Sequence, residues 1–312
     1  SAGAVSSFVE DTESQSSEVI EDLLMTGSFE FGKFSLKAIL GGSNYNYIYR
    51  YSKIRADNLS IPDFYDISNG TGTPTVEADA SQEVNFGFFG DFTLGYGDFL
   101  YFNFSGRNDW TSTLAKGNNN YFYPGFGVSF VLTDAIDALK NNDFLSYAKL
   151  TASNSTVYND LSPYRINETF SKHDSFPFGG VNGFVLSSTS VDANIKKEKL
   201  NTTEFGANLG LFRSRIMIDF SYFMTQTTDL ITFTTPSRAS GSTSFLTNIG
   251  SLKGNGYEVS LGGSIIRGKN LTWAASLNYS SETTVVKEIY EGLDEVAVSS
   301  WGNYGIYAIV DM

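Results

Sequence analysis

Hydrophobic and polar residues alternate with a period of two along most of the chain. In residues 82–96, apolar or aromatic side chains occupy most even positions, from Phe86 to Tyr96, while polar and small residues dominate the odd ones. Such alternation is typical of a β-strand with one apolar and one polar face. We predict a strand for each segment with this pattern: residues 23–31, 34–51, 82–96, 98–111, 122–132, 144–157, 203–212, 215–230, 255–265 and 271–280.

Two segments depart from the regular pattern. In residues 34–51 the apolar positions change parity at Gly41-Gly42, which predicts a β-bulge there. Residues 1–22 contain six acidic side chains and no Lys or Arg, which indicates a solvated loop or an extension of the first strand.

The predicted connections alternate between short and long. Short turns are expected near residues 31–33, 95–97, 213–215 and 267–270, with a medium connection at 133–143. Long loops are expected at residues 52–81, 112–121, 158–201, 231–250 and 287–300. Short turns at one end and long loops at the other predict an up-and-down meander whose two ends face different compartments.

Strand length favours a membrane protein over a soluble β-sandwich. Strands of globular proteins average about 5–6 residues, whereas a tilted strand needs about 9–11 residues to cross a bilayer. Most of the predicted strands have the greater length, so the sequence predicts an all-β, antiparallel, up-and-down transmembrane β-barrel segment. Its apolar face would meet lipid, with aromatic girdles at the interfaces. The candidate girdle residues are Tyr45, Tyr47, Tyr49, Tyr51, Trp110, Tyr121 and Tyr279.

Composition excludes several other classes. The chain has 312 residues, no cysteine, one histidine and a formal net charge of −13. Zinc sites built from Cys and His therefore lack ligands, and the acidic excess disfavours nucleic acid as a partner. His173 lies in a predicted loop without a Ser or Cys motif to serve, so we expect neither catalysis nor a cofactor.

The chain ends also suggest an internal piece of a longer protein. Its first residues lack an initiator Met and the features of a signal peptide. Its last residues stop inside an apolar-rich stretch without a turn signal.

Five motifs follow one another between about residues 100 and 290. They are Arg107-Asn108-Asp109-Trp110, Tyr123-Pro124-Gly125-Phe126, residues 197–206 (KEKLNTTEFG), residues 212–231 with Arg215 and Asp219, and residues 248–258 with Asn248, Gly250 and Glu258. In this order they resemble the SusC/RagA family of TonB-linked outer membrane proteins. Lys197 stands where the family usually has Pro.

The resemblance implies that the chain is one part of a larger outer-membrane barrel. Residues 1–312 would form about ten strands of a larger barrel of about 22 strands, without the plug domain and terminal strands. The family imports oligosaccharides or peptides across the outer membrane of Gram-negative, Bacteroidetes-type bacteria. Implied partners are outer-membrane lipid, a SusD-like surface lipoprotein, the glycan or peptide substrate, and the TonB complex through the missing plug region. The long loops would be extracellular.

Two sets of site residues follow. Asn103, Arg107 and Asp109 share one parity, and with Asp219 they are predicted to face the barrel lumen, where a charge avoids lipid. The aromatic residues of the long 158–201 loop are candidates for stacking on sugar rings or contacting the lipoprotein, with packing inside the loop as the alternative. These loop residues are Tyr158, Tyr164, Phe170, Phe176, Phe178 and Phe184.

Other functions remain open at this point. A siderophore or cobalamin receptor would share the barrel but lack the lipoprotein partner. A surface β-protein such as an adhesin, or a soluble sandwich, would need no detergent. An outer-membrane enzyme is disfavoured because His173 is the only histidine.

Overall fold

The computed structural model describes residues 7–173, 181, 183–289, 295–301 and 304–309. The helical segments are α1 (Leu132–Ala135) and three short 3-10 turns, and no helix in these ranges is long and apolar enough to cross a bilayer. The strands are β1 (Phe8–Phe31), β2 (Phe34–Asp57), β3 (Thr75–Tyr96), β4 (Leu100–Thr111), β5 (Asn120–Val131), β6 (Leu145–Asn159), β7 (Phe170–His173), β8 (Gly183–Leu186), β9 (Thr189–Val191), β10 (Glu198–Leu211), β11 (Ile216–Thr228), β12 (Ile231–Thr234), β13 (Ser244–Asn248), β14 (Ser251–Arg267), β15 (Thr272–Glu288), β16 (Glu295–Trp301) and β17 (Tyr304–Ile309).

Ten long strands form one antiparallel sheet in the order β1-β2-β3-β4-β5-β6-β10-β11-β14-β15. Each long strand pairs with the next long strand along the chain, so the up-and-down meander is confirmed. Each of the ten predicted strands overlaps one of these strands. The tight turns use residues that tolerate positive φ, such as Gly97 (φ 57°) and Asp98 (φ 58°) between β3 and β4.

The strands reach further at the long-loop end than the alternation predicts. The acidic segment belongs to β1 from Phe8 onward, so it is a strand extension rather than a loop. Likewise β2 continues to Asp57, and β3 already begins at Thr75. Above the apolar band both faces of a strand are polar, so the alternation that marks a strand disappears while the backbone pairing continues.

The predicted bulge at Gly41-Gly42 is wrong. Gly41 pairs with Leu24 and Phe89, and Gly42 pairs with Leu23 and Phe88, without a shift of register in either direction. The change of parity has another cause: the aromatic side chains of β2 beyond this point lie on the polar face. Gly41 leaves room for the Phe89 ring, which would stand 2.4 Å from a Cβ at this position.

The apolar face of the sheet is exposed. Phe104 and Phe126 pack with ring centroids 5.2 Å apart, yet about half of each side chain is accessible. Within the described ranges no second layer covers this face. A continuous exposed apolar face of this kind marks contact with another apolar phase, here the lipid. A soluble sandwich would bury it.

Some of the predicted girdle residues lie on the apolar face. Trp110 packs against Phe86 and Phe88 at the long-loop end of β3 and β4. Tyr279 packs against Tyr257, with ring centroids 5.8 Å apart.

The girdle assignment is wrong for the other tyrosines. Cross-strand pairing places Tyr45, Tyr47, Tyr49, Tyr51 and Tyr121 on the polar face. Tyr121, for example, pairs with Asp109. Aromatic composition alone does not distinguish a lipid-facing ring from one on the polar face.

The long loops form a packed layer of their own. The short strands β12, β13 and β9 form a three-stranded sheet, with β9 parallel to β13. A small hydrophobic core lies beneath it, made of Leu114, Leu161, Ile195 and Leu246. We call the described loop residues around this core, 111–121, 160–173, 183–197 and 229–250, the loop cluster.

Candidate functional site

The polar face of the sheet carries the first set of predicted site residues. Arg107 Nε donates to both carboxylate oxygens of Asp109, at 2.7 and 2.8 Å, and Arg107 Nη2 donates to Ser43 Oγ at 2.7 Å. These contacts link β4 to β2 across β3. They are possible because the residue between them is Gly87, where a Cβ would lie 1.9 Å from Asp109 Oδ1.

We therefore expect Gly87→Ala to cost about 1–3 kcal/mol of stability, because the added methyl group displaces the Arg107–Asp109 pair. Urea unfolding of the full-length protein in detergent measures this. Gly262→Ala on the same face is the matched control, since nothing lies within 4 Å of its Cβ position. Equal stability of the two variants would contradict the packing described here.

The other two residues of this set are also joined to neighbours on the polar face. Asn103 Nδ2 donates to Asp91 Oδ2 at 3.0 Å and to Thr93 Oγ1 at 3.0 Å. Asp219 Oδ1 accepts from Asn208 Nδ2 at 2.6 Å. Asn103 thus lies on the same strand and face as Arg107 and Asp109, whereas Asp219 lies on the same face four strands away.

A buried polar network at the long-loop end was not predicted from the sequence. Lys197 Nζ lies 2.9 Å from Asp160 Oδ2, and the lysine side chain is only 5% exposed. Asp160 also accepts hydrogen bonds from Thr111 Oγ1, at 2.7 Å, and from Thr113 Oγ1. The network connects the end of β4, the end of β6 and the start of β10. The one signal in the sequence was Lys197 itself, in place of the family's Pro.

Electrostatics keep the Lys197 side chain charged. Burial alone would lower the pKa of the ammonium group, but the hydrogen bond and the charge of Asp160 outweigh burial and raise this pKa above its usual value. The Tyr121 hydroxyl accepts from the Lys197 backbone N–H at 2.9 Å, and the Tyr123 hydroxyl lies 3.4 Å from Nζ. The network therefore fixes both the backbone and the side chain of Lys197.

This pKa shift predicts a pH dependence. A pKa raised in the folded state stabilises the fold at pH values below the usual lysine pKa of 10.5, and this contribution is lost as the pH rises through the folded value. We expect the loop cluster to stay protected from protease at pH 7–10 and to become susceptible only above about pH 10.5. Lys197→Met should abolish this alkaline step; an unchanged step would contradict the assignment.

The asparagine of the fifth motif joins two parts of the loop cluster. Asn248 Oδ1 accepts from Lys196 N at 2.8 Å, while Nδ2 donates to Lys196 O at 2.8 Å and to Asp229 O at 2.7 Å. Lys196 and Asp229 also form an ion pair of 2.9 Å. Gly250 follows with φ 86°, and a Cβ there would lie 2.6 Å from Glu288 O. The fifth motif thus holds residues 196, 229 and 248–250 of the loop cluster together.

The predicted aromatic residues of the 158–201 loop that the structure describes do not form one cluster. Tyr158 lies within β6 rather than in a loop, and its ring packs against Tyr121 and Tyr123 at centroid distances of 5.0 and 5.2 Å. Tyr164 lies in a loop with φ 62°, Phe170 begins β7 and Phe184 lies on β8; all three are more than half exposed. Phe176 and Phe178 lie outside the described residues.

A cavity of about 700 Å³ opens between the small loop sheet and the ends of β14 and β15. Its walls are mostly apolar, with Ile231, Phe233, Phe245 and Leu252 among them and Glu288 at the side. This lining suits an apolar group. Among the described residues, no group of three or more His, Cys, Asp or Glu side chains could hold a metal ion.

Comparison with known proteins agrees with this architecture. The family described as TonB dependent receptor-like, β-barrel, matches residues 5–305. TonB-dependent receptor P3 of Formosa agariphila is 26% identical over 288 residues, which is 90% of this chain and 28% of that protein. TonB-dependent receptor SusC of Bacteroides thetaiotaomicron is 23% identical over 69% of this chain and 22% of its own length.

Solved structures share the fold. The RagAB peptide transporter structure superposes with a TM-score of 0.84 at 20% identity, over 96% of this chain and 33% of the matched chain. The ferripyoverdine receptor of Pseudomonas aeruginosa gives a TM-score of 0.55 at 15% identity, over 90% of this chain and 34% of the matched chain. Both agree with an antiparallel barrel wall.

The chain spans about a quarter of the length of the curated relatives named above. The resemblance to the SusC/RagA family is confirmed by these matches, and they place the protein in the outer membrane of a Bacteroidetes-type bacterium. With the family match covering almost its whole length, the chain belongs to the TonB-dependent receptor-like β-barrel family.

Proposed function

We propose that the full-length protein imports oligosaccharides or peptides across the outer membrane and that this chain is part of its barrel wall. The polar face, with Arg107, Asp109, Asn103 and Asp219, lines the lumen, and the apolar face meets lipid. The observation that carries this proposal is the division of one ten-stranded sheet into an exposed apolar face and a hydrogen-bonded polar face.

In the same proposal the long loops face the cell exterior, where a SusD-like lipoprotein covers the mouth of the barrel. Energy comes from the TonB complex through a plug that lies outside this chain. The wall residues act by shape and charge rather than by catalysis. In support, SusC is among the relatives, and the superposed transporter structure is of RagAB.

A siderophore-type receptor is the second candidate. The ferripyoverdine receptor has the same kind of wall but superposes less well, with a TM-score of 0.55 against 0.84 for RagAB. The two candidates differ in their partners, because a siderophore receptor has no lipoprotein lid.

The test is to purify the full-length protein from native membranes and to measure nutrient uptake in the same strain. We expect a surface lipoprotein to co-purify in stoichiometric amount, and uptake of an oligosaccharide or peptide to disappear when either this protein or TonB is deleted. A barrel without a lipoprotein, together with loss of iron uptake, would favour the siderophore receptor. Uptake that does not depend on TonB would contradict the proposal.

A further inference from the structure

Four tyrosines form a column on the polar face of β2. Tyr45, Tyr47, Tyr49 and Tyr51 occupy successive odd positions, in a part of β2 without a shift of register, and each is partly exposed. Residues two apart on a strand are separated by about 6.6 Å, so the column is about 20 Å long. The tyrosines share their face with Ser43, to which Arg107 donates.

The column rises above the lipid-facing part of the sheet. Counted along β2 from Phe34, Tyr45 lies about 36 Å and Tyr51 about 56 Å from the short-turn end at 3.3 Å per residue. A strand tilt of about 40° reduces these distances to heights of about 28 and 43 Å, whereas the apolar band of such barrels is about 25 Å tall. The tyrosines therefore lie at and beyond the outer edge of the membrane.

The rows on either side of the column are acidic. Tyr47 pairs with Glu18 on β1 and with Glu83 on β3, and Tyr51 pairs with Asp79. Within the described ranges no Lys or Arg forms an ion pair with any of these three carboxylates.

The cations nearest to the column on this face lie at its two ends, and both are paired with carboxylates. Lys53 Nζ lies 3.1 Å from Glu77 Oε2, and Arg107 forms an ion pair with Asp109. Between them the described part of this face carries the four tyrosine rings, the three carboxylates and neutral side chains such as Ser16 and Ser81, and no Lys or Arg.

We propose that this tyrosine column binds an extended, basic segment of the imported substrate, which makes the substrate a peptide rich in Lys or Arg. The inference rests on the proposed import function and specifies its substrate class. In an extended peptide, side chains two apart repeat at the same 6.6 Å as the tyrosines, so successive cations lie over successive rings. The flanking carboxylates complement the charge of these cations, and a neutral glycan would leave that charge unused.

The experiment measures binding of the labelled peptide acetyl-(Lys-Ser)4-amide to the full-length receptor in detergent at low salt. We expect the double variant Tyr47→Leu/Tyr49→Leu to weaken binding about tenfold. Glu83→Gln should weaken binding several-fold and reduce its dependence on salt. Acetyl-(Glu-Ser)4-amide should not bind. Ile48→Ala, on the opposite face of the same strand, is the matched control and should bind like the wild type.

Unchanged binding of the lysine peptide to the tyrosine variant would overturn the proposal, as would binding of a neutral oligosaccharide in place of the peptide. The amount of folded receptor in the outer membrane separates loss of binding from loss of fold. Failure here is distinct from failure of the import function. If a glycan is taken up through TonB and the tyrosine variant takes it up equally well, the import function is supported and the tyrosine column is excluded as a binding site.

Discussion

Replacing Lys197 by Ala is expected to destabilise the loop cluster by about 3 kcal/mol. The substitution leaves Asp160 as a mostly buried carboxylate without its cation, and breaking a buried ion pair from one side typically costs about 3–5 kcal/mol. The lower end of that range applies because the Asp160 side chain is one fifth exposed and still accepts hydrogen bonds from its two threonine donors.

Hydrogen exchange of the full-length protein in detergent measures this effect. We expect faster exchange in residues 111–121 and 160–173 of the variant, with unchanged exchange in the membrane part of the sheet. The two effects separate because the loop cluster can open while the large sheet stays paired, apart from the outermost pairs at Thr111, Asn120 and Tyr121.

Two further variants make the test specific. Lys196→Ala removes the neighbouring lysine, whose partner Asp229 is one third exposed, so its loss should cost at most about 1 kcal/mol. The double variant Lys197→Met/Asp160→Leu replaces the buried pair by apolar groups and should be more stable than Lys197→Ala. Equal exchange in Lys196→Ala and Lys197→Ala would show that the buried pair does not stabilise the loop cluster.

Phe104→Arg should impair assembly of the barrel by about 2–4 kcal/mol, the cost of an arginine facing lipid near the bilayer midplane. Phe104 lies four residues into β4, about 10 Å above the short-turn end once strand tilt is included, and so near the middle of the apolar band. Its ring packs against Phe126, and about half of the side chain is exposed on the apolar face.

Ser105→Arg is the matched control, because Ser105 is the next residue of β4 and lies exposed on the polar face. The fraction of receptor in the outer membrane with heat-modifiable mobility reports assembly. We expect a marked loss for Phe104→Arg and near-normal assembly for Ser105→Arg. Similar defects in both variants would contradict the assignment of the faces.

The sequence predicted the membrane part of the sheet well for a physical reason. Where one face meets lipid and the other does not, apolar residues must alternate, and segments such as 82–96 and 98–111 show it directly. The alternation does not predict the outer parts of β1 to β3, because these lie beyond the bilayer and carry polar side chains on both faces.

The candidate sites were harder to predict. Lys197 and Asp160 are 37 residues apart and meet only because β6 and β10 are neighbours in the sheet. The parity change in β2 is visible in the sequence, but the sequence alone predicts a bulge from it. The pairing of β2 with β1 and β3 places the tyrosines on the polar face instead.

In the proposed orientation, the length of β1, β2 and β3 determines which loop lies furthest from the membrane on the cell exterior. Residues 75–84 of β3 extend beyond its pairing with β4, which begins at Asn85, so the three strands rise about 25 Å above their neighbour. The loop at residues 58–74 tops this extension. An epitope tag inserted at Asp63, where φ is already positive, would therefore be reached by antibodies on intact cells ahead of the shorter loop at 112–119.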